Sequence, residues 1–197
     1  MTKDEIAFFD RISETWDSDE ILSTPRKVQV ILSEIGIERG CRVLDLGTGT
    51  GVLIPFLAES VGPEGSVVAV DISSGMLDKA ARKYSHLPNL NLVKRDFEEE
   101  HLEGRFDLIL LYCVYPHLHQ PENTLKRLVR DNLKREGRII VAFPTDENFI
   151  NSIHKERKAE SDMLPSAPRL ASLFGEWGLD AGVVSCGPEE YIVEIRK

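Results

Sequence analysis

The segment Val43-Leu44-Asp45-Leu46-Gly47-Thr48-Gly49-Thr50-Gly51 sets three alternating glycines behind a short apolar run. Glycine reaches positive φ and has no Cβ, so a ligand can lie directly against its backbone; a turn with nothing to accommodate is only weakened by such residues. Dinucleotide sites use Gly-x-Gly-x-x-Gly/Ala between a strand and a helix, with a pyrophosphate at the helix N-terminus. Here Val52 occupies the last small position and breaks that fingerprint. The spacing Gly47-x-Gly49-x-Gly51, with Asp45 just ahead of it, suits another nucleoside. Asp71 ends a second apolar run, roughly 20 residues beyond the turn, where nucleoside sites keep a ribose-binding acid. Its carboxylate oxygens can accept from both ribose hydroxyls. The competing reading is an acid that complements the dipole of the following helix. Asp96 and Phe97 close a third apolar run, and Asp96 either caps the next segment or faces the ligand.

A second group of reactive side chains follows the fourth apolar run, in Tyr112-Cys113-Val114-Tyr115-Pro116-His117-Leu118-His119. His117 and His119 are candidates for a general base or a substrate contact, against the alternative of surface loop histidines. Tyr115 is either a pocket wall or core, and Cys113 reads as small core filler rather than a nucleophile. His154 and Asp162 stand out in a long polar stretch farther on. His117, His119 and His154 match no known metal-ligand spacing, so no metal site is expected. Glu98, Glu99 and Glu100 read as a solvated acidic turn. Lys155, Arg157 and Lys158, alternating with Glu156 and Glu160, read as a solvated helix face.

The elements needed to position these residues follow from hydrophobic periodicity. Strands are expected over Cys41–Gly47, Ser66–Ile72, Asn89–Asp96, Phe106–Cys113 and Gly137–Phe143. Phe106–Cys113 is apolar throughout, as in a strand covered on both faces. Helical patterns fill Val52–Val61, Ser73–Leu87 (capped by Ser73 or Ser74), Pro121–Gly137, Glu147–Asp162 and Ala167–Trp177. The C-terminal stretch reads as a β-hairpin turning through Gly187–Glu190. Strand–helix alternation with short connections implies an α/β three-layer sandwich around a mostly parallel sheet. Ligands of such sheets bind beyond the carboxyl ends of the strands, where the strand order reverses. The motifs above all lie just there.

Composition narrows the possibilities. The chain has 197 residues, 42% hydrophobic and 29% charged, as expected of one globular domain. Lys+Arg number 24 against Asp+Glu 33, a formal charge of -9, which disfavours general binding to a phosphate backbone. The three cysteines, Cys41, Cys113 and Cys186, are far apart and form no Cys-x-x-Cys pair, against a disulfide framework or a cysteine zinc site. No apolar run approaches the roughly 20 residues that span a bilayer. The charged N-terminus lacks a secretory pattern, and the expected location is cytoplasmic.

Val43–Gly51 resembles the first motif of the class I S-adenosylmethionine-dependent methyltransferases, and the resemblance is strongest over residues 40–143. It implies a seven-stranded sheet of order 3-2-1-4-5-7-6 with strand seven antiparallel, and S-adenosyl-L-methionine as cofactor, with S-adenosyl-L-homocysteine as product. Asp45 would hold the ligand's amino-acid end, directly or through water, and Gly47, Thr48, Gly49 and Gly51 would line it. Asp71-Ile72-Ser73-Ser74-Gly75-Met76-Leu77 resembles the family's Asp-x-Ser-x-x-Met-Leu form, with Ile72 and Met76 as walls for adenine. Asp96 would accept from the adenine amine, Phe97 would cover the ring, and Tyr112 would pass the methionine part. Phe8–Asp17 resembles the Phe-x-x-x-Ala-x-x-Tyr-Asp lead-in of quinone- and sterol-type methyltransferases. Ser13 replaces the alanine and Trp16 the tyrosine, so the hydroxyl is lost but a π face for the sulfonium remains.

The expected organisation is a helical lid over residues 1–38, a cofactor-binding core over 40–143, a substrate lid over 144–165, and a last helix and hairpin over 166–197. The expected acceptor is a small molecule, contacted by Tyr115, His117 and His154, with His117 the catalytic candidate. The Asn/Asp-Pro-Pro-Tyr/Phe motif of many nucleic-acid and protein amide methylators is absent, and no direct nucleic-acid partner is expected. A protein or RNA methyltransferase working with a partner is the first alternative. A non-catalytic binding module is the second.

Overall fold

The computed structural model describes residues 3–18, 25–156 and 162–197. Helix α1 (Lys3–Ile12) and a short 3-10 turn (Trp16–Ser18) precede α2 (Pro25–Ile35). Strand β1 (Arg42–Leu46), helix α3 (Ile54–Val61), β2 (Ser66–Asp71), α4 (Ser74–Tyr84), β3 (Leu90–Lys94) and β4 (Phe106–Tyr112) then alternate. After α5 (Pro121–Arg127) come β5 (Leu133–Phe143), α6 (Glu147–Glu156), α7 (Ala167–Glu176) and the hairpin β6 (Asp180–Gly187) and β7 (Glu190–Arg196).

The seven strands form one sheet in the order β3-β2-β1-β4-β5-β7-β6. Pairings from β3 through β5 are parallel, and β7 runs antiparallel to both β5 and β6. The chain leaves β1 toward β2 on one side and returns through β4 on the other. The carboxyl ends of β1 and β4 therefore flank the crevice where the winding reverses.

Successive strand residues point to opposite faces, and both faces are covered. Ile109 of β4 and Ile139 and Val141 of β5 pack in one cluster with Phe174 of α7 and Leu125 of α5. Their neighbours Leu108, Leu110 and Ile140 pack in another with Val28, Ile31 and Ile35 of α2 and Leu57 of α3. Each such buried side chain contributes roughly 1.5–3 kcal/mol of transfer free energy. Burial on both faces accounts for the unbroken apolar run of β4, which an alternating strand would not have.

Several element boundaries differ from the sequence expectation; among the smaller shifts, α4 ends at Tyr84 rather than Leu87 and β3 covers Leu90–Lys94 rather than Asn89–Asp96. The helix read over Pro121–Gly137 stops earlier: a π-helical turn covers Leu128–Asn132, and β5 begins at Leu133 rather than Gly137. The Asn132 amide donates to the Leu102 and Gly104 carbonyls at 2.8 and 3.1 Å, which pulls the chain off the helix axis. Leu133 then pairs with Phe106, while the next pairing joins Arg138 to Leu108, so residues 134–137 bulge out of the ladder. The helix read over Glu147–Asp162 is formed over Glu147–Glu156; residues 157–161, including Arg157, Lys158 and Glu160, lie outside the described residues. The helix read from Val52 starts at Ile54, with Pro55 in its first turn. Among the described residues, no helix is long and apolar enough to cross a membrane.

Candidate functional site

A cleft enclosing about 1060 Å³ up to and including its mouth opens at the carboxyl ends of β1, β2 and β4. The glycine turn forms its floor. Gly47 and Gly49 have φ of +71° and +55°, the left-handed region that L side chains rarely adopt. A Cβ on Gly47 would strike Val114 Cγ2 at 2.5 Å, so the turn can approach the loop after β4 only as glycine. Over Gly49 the space is open up to the Trp16 indole Nε1, 4.0 Å from where a Cβ would stand. Gly51 does not line the cleft: a Cβ there would meet Ile54 and Tyr84 at 2.8 and 3.0 Å, so its smallness serves the packing of α3 against α4.

Four acids surround the cleft, in different states. Asp45 is 1% exposed, and neither its Oδ2 nor the buried Thr48 Oγ1 has a hydrogen-bond partner among the described residues. Burial pushes the Asp45 carboxyl up to about 7; the Thr48 hydroxyl beside it works against the shift, and the Asp71 carboxylate adds to it. Two buried oxygens left unpaired are costly unless a ligand completes them. Asp71 accepts from Gly49 N at 2.8 Å and from Ser73 N at 2.9 Å, one on each oxygen. The two sequence readings of Asp71 are therefore not exclusive. It ties the glycine turn to the start of α4 and lines the cleft. Burial is the main influence raising its pKa. Asp96 likewise combines its readings: it accepts from Glu98 N at 3.0 Å and lines the cleft.

Glu98 corrects the expectation of a solvated turn. It is buried, accepts from His119 N at 3.1 Å and Gln120 N at 2.9 Å, and so anchors the loop between β4 and α5 against the cleft wall. Ile72, Met76 and Phe97 line the apolar end, as does Tyr112 at the end of β4. Cys113 follows Tyr112 with φ +58°, a strained conformation that turns the chain sharply out of the sheet. Burial pushes its thiol well above the ordinary range, which leaves it protonated and unsuited to nucleophilic attack.

The N-terminal segment covers the cleft. Phe9 and Trp16 both line it and meet edge to face with ring centroids 6.0 Å apart. Two polar anchors hold this cover to α4. Asp10 Oδ1 accepts from Ser73 Oγ at 2.6 Å and from Gly75 N at 2.9 Å. Asp17 accepts from Thr50 Oγ1 at 2.5 Å and pairs with Lys83 Nζ at 2.6 Å. Ser73 also caps α4 by accepting from Met76 N at 3.2 Å, which settles which of the two serines is the cap.

At the far end His117 lines the cleft, its ring 6.0 Å from that of Phe9. His117 Nδ1 lies 2.9 Å from Asp162 Oδ2. Tyr115 and His154 do not line the cleft. Tyr115 is buried in the core against Phe174, ring centroids 5.6 Å apart, because the single 3-10 turn Tyr115–His117 sends its first and last side chains to different sides. His154 stands behind His117 at 5.6 Å, with its Nδ1 on the Asp162 carbonyl oxygen. His119 points to Glu5, its Nε2 3.3 Å from Oε1.

The sequence reading gave no cleft role to Phe9, Val52, Leu53, Val114 or Leu118, which all line the wall. Val52, Leu53, Val114 and Leu118 each adjoin a residue it did discuss, and Phe9 stands at the Phe of the N-terminal motif, so proximity and that motif were the available signals. His117 and Asp162 are 45 residues apart, and no local pattern pairs them.

Residues 37–179 match the family model described as a methyltransferase domain. The chain is 28% identical over 134 residues to the malonyl-[acyl-carrier protein] O-methyltransferase of Priestia megaterium, which covers 67% of the chain and 48% of that protein. It is 36% identical over 110 residues to the ubiquinone/menaquinone biosynthesis C-methyltransferase UbiE of Erwinia tasmaniensis, covering 54% of the chain and 43% of that protein. The chain thus spans less than half the length of either curated relative. Its fold is like that of a SAM dependent methyltransferase from Aquifex aeolicus, with TM-score 0.71, 22% identity, and coverage of 100% of this chain and 98% of that one.

Proposed function

Because this chain belongs to the methyltransferase-domain family, we propose that it binds S-adenosylmethionine and transfers the methyl group to a small-molecule acceptor by in-line displacement. The observation that carries the reading is the pair of buried, unpartnered oxygens on Asp45 and Thr48, beside a glycine floor open to a ligand. They fit the amino-acid end of the cofactor. Asp71 takes the ribose hydroxyls, and Ile72, Met76, Asp96 and Phe97 hold the adenine. Trp16 covers the sulfonium end and presents a π face to its charge.

The cofactor supplies an activated methyl on a sulfonium. The chain's own work is therefore alignment and exclusion of water. The glycine turn fixes depth, Phe9 and Trp16 shield one side of the cleft, and the loop after β4 meets the acceptor. His117, which lines the cleft beside that loop, is the candidate to take up a departing acceptor proton. The two curated relatives named above act, by their names, on oxygen and on carbon, so the acceptor has to be argued from this site. A concave cleft walled by Phe9, Val114 and Leu118 favours a small molecule over a macromolecular surface. The charge of -9 works against nucleic acid.

Calorimetry with S-adenosylmethionine and S-adenosylhomocysteine tests the cofactor, with NADH as the control. Saturable heat is expected with the first two only. Asp71→Ala should weaken affinity about 10- to 100-fold, the loss of hydrogen bonds to a charged group. Heat with NADH alone would refute the reading. Incubation with methyl-labelled donor and a cell extract tests the acceptor. Label is expected on a metabolite, and label confined to macromolecules would reject the small-molecule assignment.

A further inference from the structure

Resting on that reading, we propose that Asp162 positions His117 as a general base, through Nε2, for an acceptor that enters as a neutral aromatic hydroxyl. The geometry begins on α6. Asn151 clamps the backbone of Leu164 from both sides: its Nδ2 donates to Leu164 O at 2.9 Å, and its Oδ1 accepts from Leu164 N at 2.7 Å. One turn along, His154 Nδ1 meets the Asp162 carbonyl oxygen. Tyr191 Oη donates to Pro165 O at 3.1 Å and fixes the segment beyond. The backbone from the Asp162 carbonyl through Pro165 is thus held, and the Asp162 carboxylate lies 2.9 Å from His117 Nδ1. Asn151 and His154 on α6, and Asp162, Leu164 and Pro165 after it, make up the two halves of this clamp.

A carboxylate accepts and cannot donate, so it selects the tautomer with the proton on Nδ1 and leaves the lone pair on Nε2. The His117 side chain is one third exposed and lines the cleft, so the ring is accessible from inside. The charged and titratable groups facing it are Asp162 and His154; Asp96 and Glu98 line the same cleft, and Phe9 covers its α1 side.

A base is useful only if the acceptor must shed a proton. Carboxylates are already ionised at neutral pH and thiols ionise readily. Both anions would also enter a cleft bordered by Asp45, Asp71, Asp96 and Glu98. A phenolic hydroxyl stays neutral, resists ionisation without help, and suits the aromatic wall of Phe9 and Trp16. In the step, the hydroxyl oxygen attacks the methyl carbon, the carbon–sulfur bond breaks with its electron pair on sulfur, and the O–H proton passes to His117 Nε2. The positive charge lost at sulfur reappears on the imidazolium beside the Asp162 carboxylate and is later released to water as a proton.

The test begins with the full chain titrated with S-adenosylhomocysteine. Failure to bind at this point counts against the methyltransferase reading and not against the base. The loaded protein is then followed by ¹⁵N NMR of its histidines and titrated with 4-nitrophenol, whose anion absorbs visibly. His117 should be the Nδ1–H tautomer in the wild type, which requires no variant to measure. Bound 4-nitrophenol should ionise at lower pH than free 4-nitrophenol. Asp162→Asn should move His117 toward the Nε2–H tautomer and reduce the ionised fraction of bound 4-nitrophenol. His117→Gln should abolish that downward shift while the loaded protein still binds 4-nitrophenol. An Nε2–H tautomer in the wild type, no binding of 4-nitrophenol, or ionisation indifferent to His117→Gln would overturn the proposal.

Discussion

Asp45 is the residue at which burial and ligand recognition meet. Its carboxyl is pushed up to about 7 by burial, against about 4 in an unfolded chain. Between those values the native chain holds a proton that the unfolded chain lacks. Stability of the ligand-free protein therefore falls as pH rises from about 4 to about 7, and is flat above. Binding of an ammonium group favours the carboxylate and so has the opposite slope. Cofactor affinity should rise about tenfold per pH unit on approach to 7 and then level off. At pH 6 binding should release protons, visible as calorimetric heats that depend on the buffer's ionisation enthalpy. Asp45→Asn should remove both slopes, and a buffer-independent heat in the wild type would count against the Asp45 contact. At this scale the sequence was most informative where chemistry and spacing coincide, as for Asp45, Asp71, Gly47 and Gly49, which all line the cleft. It was least informative for Tyr115, where a single 3-10 turn decides which side chain faces the core, and for Asp162, whose partner comes from another part of the chain.

At the scale of elements, the cover over the cleft depends on how closely α1 can approach the start of α4. Hydrogen bonds from Ser73 and Gly75 hold the Asp10 carboxyl below the usual carboxylate range. The approach is possible because residue 75 has no side chain. A Cβ there would lie 2.7 Å from Ser13 Oγ and 3.0 Å from Asp10 O. Gly75→Ala is diagnostic because alanine favours a helix by about 1 kcal/mol, so α4 itself gains while its contact with α1 is lost. Affinity for S-adenosylhomocysteine should fall roughly tenfold, consistent with the loss of one charge-assisted hydrogen bond, and cleavage by trypsin after Arg11 should accelerate. Unchanged affinity together with unchanged cleavage would show that α1 is not coupled to the site. The strands and most helices were legible from periodicity, since burial on one stripe or two faces leaves a repeating mark. The end of α5 was not. Residues 134–137 leave the ladder in response to the Asn132 amide and the Phe106–Leu133 pairing, and neither partner is visible in a local window.

The whole molecule joins its two layers through residues that alternate along the same strands. Ile109 and Ile140 sit on adjacent strands but pack on opposite faces, one toward α5 and α7 and the other toward α2 and α3. Both are fully buried, so truncation of either to alanine should cost about 2–5 kcal/mol. In a chain of this size, 1 kcal/mol moves Tm by about 2–4 °C. Because one sheet carries both clusters, neither face can melt while the other keeps its strands paired. Calorimetric scans of Ile109→Ala and Ile140→Ala should each show one transition, shifted down by about 4–20 °C, and not a split into two. The cleft lies across the same sheet, so S-adenosylhomocysteine at 100 times its Kd should add about 2.7 kcal/mol and raise Tm of the wild type and of both variants alike. A variant whose transition divides, with only one part moved by the ligand, would mean that the two layers unfold independently and that the cleft belongs to only one of them.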